Sequence, residues 1–199
     1  MKPAALLLLP AVAFGLQAPI EGYGVVDIEW EAEISPGGPV QKFNGTIEKV
    51  HKELVNLNPN WDTDYTLEAS AHHDKRDGLV ERADFKDSGY FCGGRWEETD
   101  SIWIGYGINY LRRLSGTPSN GPGPGNCGRV SCSFKSAIWW CNDSNKAKTL
   151  GSFGDIADGA SWILHKCKRV RWASYYAVSG QAFHPTGWNV IVRRDTEKC

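Results

Sequence analysis

NCGRVSCSFKSAIWWC, residues 126–141, holds three of the six cysteines and two of the nine tryptophans of this 199-residue chain. Read with period two, Val130, Cys132, Phe134, Ile138 and Trp140 share one face. Ser131, Ser133, Lys135 and Ala137 share the other, and only Ser136 interrupts the apolar series. That alternation predicts a strand with one buried face. Cysteines within and beside it predict a strand stapled to its neighbours, the central strand of a small disulfide-bonded domain.

The six cysteines are Cys92, Cys127, Cys132, Cys141, Cys167 and Cys199, and none lies between residues 16 and 91. The chain opens with Lys2, an apolar run from Ala4 to Phe14 broken by Pro10, and the small residues Ala13 and Gly15. That order reads as a signal peptide over residues 1–15, and the run is too short to span a bilayer. No other run qualifies as a transmembrane segment. A secreted, extracellular location follows, where disulfides persist. An even cysteine count then reads as a three-disulfide framework for residues 92–199. No CxxC pair or HxxxH spacing suggests a metal.

Between the cysteine-free and cysteine-rich parts stands Lys75-Arg76, the kind of dibasic site that a kexin-type processing protease cuts; a weaker site follows Arg82. Residues 16–76 carry 11 acidic and 5 basic residues, net −6, whereas residues 77–199 carry 12 and 16, net +4. Opposite charge favours association of the two parts. Residues 16–76 thus read as an acidic pro-segment, 77–91 as a linker and 92–199 as the cysteine-rich domain. Alternating apolar and acidic residues over Asp27–Ile34 predict a strand. Ile47, Val50, Leu54 and Leu57 predict a helix after Asn44. A second strand is expected at Tyr65–Ala69, and packing on the cysteine-rich part is expected to supply the core this segment lacks.

Trp103, Tyr106, Tyr110, Leu111 and Leu114 predict a helix burying that face, started near Asp100 or Ser101 and ended by Arg112 and Arg113. Residues 115–126, SGTPSNGPGPGN, are a loop, and no nucleotide cofactor is expected because no GKS or GKT follows. Ser152 and Asp155 resemble a capping box for a helix that ends at Cys167, beside the basic cluster Lys166, Lys168, Arg169 and Arg171. Tyr175–Phe183 and Trp188–Val192 predict a hairpin. The expected fold is α+β: a small antiparallel or mixed sheet with two helices packed on one face and three disulfides, preceded by a strand-helix-strand pro-segment. Asn44-Gly45-Thr46 and Asn142-Asp143-Ser144 are glycosylation sequons. Following the path of the elements, the expected bridges are Cys92–Cys141, Cys132–Cys167 and Cys127–Cys199, the last two exchangeable.

The motifs NGPGPGNCGRVSCS, SAIWWCND, IADGASWIL, GQAFHP and WNVIV resemble those of small secreted cysteine-rich fungal proteins. Their arrangement is similar to killer toxins and to necrosis-inducing effector domains. That resemblance implies a secreted, proteolytically matured effector or toxin-like protein acting on an extracellular host or competitor target, with no catalytic residues to transfer. Two other readings stand beside it. A small secreted hydrolase such as a ribonuclease would use His165 or His184 with Glu97, Glu98, Asp155 or Asp158. A cell-wall glycan-binding module would use Trp139, Trp172 and Trp188.

Overall fold

The computed structural model describes residues 15–65, 83–114, 116–123, 125–172, 175–195 and 199. In it residues 126–141 form a hairpin rather than one strand: β7 (Asn126–Ser133) and β8 (Ser136–Asn142) pair antiparallel. The chain reverses at Phe134 and Lys135, both left-handed with φ of 47° and 64°. Consecutive left-handed residues are what a two-residue hairpin turn requires, and they match the strand twist. A bulge then resets the phase. Pairing passes from Arg129↔Trp139 to Ser131↔Ile138, leaving Val130 as the extra residue. Val130 therefore joins Ile138 and Trp140 in one core, while Cys132 lies with Cys127, Ala137, Trp139 and Cys141 in another. The expected single buried face is replaced by two.

The hairpin is the middle of a six-stranded sheet ordered β1-β7-β8-β13-β12-β4. Its other members are β1 (Gly24–Val25), β4 (Tyr90–Cys92), β12 (Gly180–His184) and β13 (Trp188–Arg194). Only the β1–β7 pairing is parallel. One face carries the helices. Helix α3 (Ser101–Leu111) packs on β7 and β8, and α4 (Phe153–Cys167) on β12 and β13. The N-terminal part adds α1 (Ile47–Leu57), which packs on α3 and β7 through Ile47, Val50 and Leu54. Full burial of each such aliphatic side chain contributes about 1.5–3 kcal/mol. The opposite face is covered by Leu16, Ala18, Ile20, Tyr23 and Trp96. Two smaller sheets flank this body: β3-β2-β6-β9, formed by β2 (Glu29–Glu33), β3 (Val40–Asn44), β6 (Ser119–Asn120) and β9 (Lys148–Thr149), and β10-β11-β5, formed by β5 (Thr99–Asp100), β10 (Arg169–Trp172) and β11 (Tyr175–Val178). The chain is thus a mixed α+β protein with three disulfides, and α2 (Trp61–Asp64) completes four helices among the described residues.

Several expectations change. The N-terminal segment is not strand-helix-strand: β1, a β2–β3 hairpin, α1 and α2 follow in order, Tyr65 ends α2, and residues 66–69 lie outside the described residues. Residues 83–91 are not a linker, since Phe85 is in the core and β4 begins at Tyr90. The long strand from Tyr175 divides at Ser179, β11 and β12 entering different sheets. The capping box at Ser152 and Asp155 is present. In α3 the buried residues are Ile104, Gly107, Ile108 and Leu111; of the expected face Leu111 and Leu114 are buried, Trp103 and Tyr110 half-buried and Tyr106 exposed. Gly107 allows α3 to lie against the hairpin, because a Cβ there would meet Ser131 Oγ and, at 3.1 Å, Ile138 Cδ1.

The bridges are Cys92–Cys167, Cys127–Cys141 and Cys132–Cys199, with no free cysteine. The expected Cys92–Cys141 is not formed, because the hairpin sets Cys127 and Cys141 in direct register with Cα atoms 4.0 Å apart. Cys92 instead lies on β4, opposite Gly180 of β12, at the end of α4 where Cys167 waits. The expected Cys132–Cys167 and Cys127–Cys199 are not formed either; Cys132–Cys199 belongs to the exchanged pair, but its companion Cys127–Cys167 is absent because Cys127 is held by Cys141 and Cys167 by Cys92.

Candidate functional site

The aromatic residues that α3 leaves outside form the wall of a cleft. Trp103, Tyr106 and Tyr110 face Glu48 and His51 of α1, with Ser133 of β7 at one end. The cleft encloses about 400 Å³, within the span of roughly 300–1,000 Å³ usual for small-ligand sites. The spacing i, i+3, i+7 puts the three rings on one helix face, and Glu48 and His51, three apart, share a face of α1.

Each wall is fixed by its neighbours. The Glu48 carboxylate accepts from the Ser131 hydroxyl and, at 2.9 Å, from the Cys132 N–H, tying α1 to the hairpin. His51 Nε2 lies 2.8 Å from Asp62 Oδ1, and Arg113 Nη1 donates to the same oxygen at 3.0 Å. The imidazole lies 4.7 Å from the Tyr110 ring and meets Trp61 edge-on at 5.4 Å. Trp103 is 5.5 Å from Tyr106 and stacks on Phe134 at 4.0 Å. Phe134, at the hairpin tip, is 72% exposed and extends the aromatic surface beyond the helix. Among the described residues no hydrogen bond engages the hydroxyls of Tyr106, Tyr110 or Ser133. The cleft thus offers aromatic faces, free hydroxyls and an anchored carboxylate, and it joins the acidic segment to the cysteine-rich part.

Of the acid–base residues expected of a hydrolase, His184 and Asp155 lie within electrostatic reach of each other, with no hydrogen bond between them shown; the others are engaged or exposed elsewhere. His184 stacks on Trp188 at 4.6 Å and its Nδ1 lies 2.9 Å from Thr186 Oγ1. Burial lowers its pKa. His165 is exposed on α4. Glu98 is clamped by Arg169 and Arg171. Burial works against its charge, but the hydrogen bonds and charges of the two arginines outweigh it and hold the carboxyl below its ordinary value. Glu97 is exposed 3.7 Å from Arg194. Asp155 caps α4, its pKa raised by burial, and Asp158 accepts from Arg112 at 2.9 Å. Among the described residues no group of three or more His, Cys, Asp or Glu is placed to hold a metal.

Of the three tryptophans expected on a glycan surface, Trp139 and Trp188 are core residues and only Trp172, 77% exposed on β10, is free to offer a face. The Asn142 sequon is also closed to a glycan. Asn142 is fully buried, and its Nδ2 donates to Gly121 O at 2.9 Å and Lys146 O at 2.8 Å. Asn44 is exposed on β3. Lys75 and Arg76 lie outside the described residues. The sequence does not single out the aromatic cleft, because α3 has two apolar stripes and the bulkier reads as the core-facing one. Gly107 between Ile104 and Ile108 marks the packed stripe.

No helix among the described residues is long and apolar enough to cross a membrane. No family model matches the chain, and no curated protein or solved structure matches it.

Proposed function

We propose that the protein is a secreted, kexin-processed effector or toxin-like protein acting outside a producing fungal cell, and that residues 16–65 stay bound to the cysteine-rich part as a second, non-covalent chain. One observation supports this above others: the N-terminal segment and residues 83–195 share a single hydrophobic core, in which Trp30, Ile47 and Val50 lie with Phe153, Ile138 and Trp140. The segment also pairs β1 with β7 and β2 with β6. Removing it would expose that core and dismantle the cleft. A pro-segment that shields only a surface would not be built this way.

Protein recovered from culture medium tests the reading. Two chains are expected under denaturing conditions without reductant, co-eluting as one species under native conditions. Lys75→Ala with Arg76→Ala is expected to give one longer chain. A native species containing only the cysteine-rich chain would refute retention. Absence of any effect of the two-chain protein on plant tissue and competing microbes would refute the effector or toxin role.

A further inference from the structure

We propose that the cleft between α1 and α3 binds a neutral glycan chain, with successive sugar rings stacked along Trp103, Tyr106 and Tyr110. This rests on the retained N-terminal segment, because α1 supplies one wall.

The rings form a line. Trp103 to Tyr110 spans about 10 Å along the helix axis, so the apolar surface is a strip suited to a linear chain of flat rings. A cation-binding aromatic cage needs faces converging on one point. Here Trp103 instead stacks on Phe134, which covers one indole face and leaves the other side of the indole and the exposed phenyl ring at the end of the row. Sugars present apolar C–H faces and hydroxyls that both donate and accept. The cleft matches both demands, with aromatic faces beside the hydroxyls of Tyr106, Tyr110 and Ser133 and the Glu48 carboxylate. Glu48 is already oriented by Ser131 and Cys132, so little side-chain freedom is lost when a ligand hydroxyl reaches it. Phosphate or nucleic acid needs converging cations. Among the described residues the lining holds no lysine or arginine; its one basic group, His51, and neighbouring Arg113 both engage Asp62.

Phe134 bears on the same surface. The hairpin turn sets its φ of 47°, and its ring packs on Trp103 while staying 72% exposed, so an apolar ring stands open to solvent beside the cleft.

The test uses the full chain carrying Lys75→Ala and Arg76→Ala, so that both walls remain on one polypeptide whatever the fate of the natural segment. Hexa-N-acetylchitohexaose and laminarihexaose are titrated separately by calorimetry, which distinguishes chitin-like from glucan-like ligands. Saturable binding of at least one is expected. Tyr106→Ala and Phe134→Ala, both at exposed side chains without hydrogen bonds, are expected to weaken it by about tenfold or more, with unchanged near-ultraviolet circular dichroism. Trp172→Ala, far along the chain on β10, is expected to bind as the parent does. The proposal is overturned if neither oligosaccharide binds, if Tyr106→Ala and Phe134→Ala bind normally, or if Trp172→Ala loses binding. Failure of segment retention would appear only in the native mass of the processed protein, and leaves this measurement unaffected.

Discussion

The indole of Trp30 lies flat on the ring of Phe153, with centroids 4.4 Å apart and planes within 11° of parallel. Both side chains are fully buried, and they come from opposite sides of Lys75-Arg76. The indole N–H donates to Gly45 O at 2.7 Å, so the ring is satisfied as well as packed. Trp30→Ala is expected to cost about 3–5 kcal/mol in urea denaturation of the uncleaved chain. A loss below about 1 kcal/mol would mean that the N-terminal segment is not part of the core.

The disulfides give a second prediction. Cys127–Cys141 spans 14 residues, whereas Cys92–Cys167 spans 75. Chain entropy alone assigns about 3 kcal/mol to the short loop and about 4–5 to the long one. Paired alanine variants are expected to follow that order in thermal unfolding. Non-reducing peptide maps are expected to contain Cys127–Cys141, and a Cys92–Cys141 peptide would contradict the hairpin register.

Asp195 is a buried carboxylate between two guanidinium groups. Arg193 Nε donates at 2.6 Å, Arg129 Nη1 at 3.1 Å and Trp139 Nε1 at 3.2 Å. Removing it takes the counterion from the part-buried Arg193 guanidinium. Asp195→Ala is expected to destabilise by about 3–5 kcal/mol, measured by denaturant midpoint. Asp195→Asn, which keeps part of the hydrogen bonding, should lose less.

Glycan occupancy separates the two sequons. Asn44→Gln is expected to abolish the mass shift produced by enzymatic deglycosylation, and Asn142→Gln is expected to leave it. Because Asn142 also accepts from the Ser144 N–H and hydroxyl, Asn142→Gln should lower stability as well. A glycopeptide containing modified Asn142 would contradict its burial.

Acid should weaken the fold through His184. Burial holds its pKa below the ordinary value, so between the two values the unfolded chain binds more protons than the folded one. Stability therefore rises with pH across that window. This contribution is complete above the ordinary value of about 6.5 and is lost as pH falls through it towards the depressed folded value. His184→Gln is expected to flatten the fall in melting temperature between about pH 7.5 and about pH 5. An unchanged slope would assign the effect to other groups.

Legibility in the sequence followed locality. The helix from Ser152 to Cys167 was readable because Ser152, Asp155 and its apolar spacing agree at short range. The 126–141 hairpin was not, because its turn uses Phe134 and Lys135 in place of the Asn-Gly or Asp-Gly pairs that signal such turns. The bulge at Val130 has no composition of its own, yet it decides which face each cysteine occupies. The site was hidden for a different reason. Tryptophan and tyrosine serve cores and ligand surfaces equally well, so Trp103, Tyr106 and Tyr110 carry no label. Partnership with Glu48 and His51 exists only after the chain closes over more than fifty residues.

All three bridges lie within residues 92–199, so the contact between the two parts is reinforced by no covalent bond other than the peptide chain itself. Were the chain cut between the two parts, their contact would obey mass action. The shared core would then be the whole of the attachment, and the integrity of the cleft would depend on how tightly two separate chains hold each other.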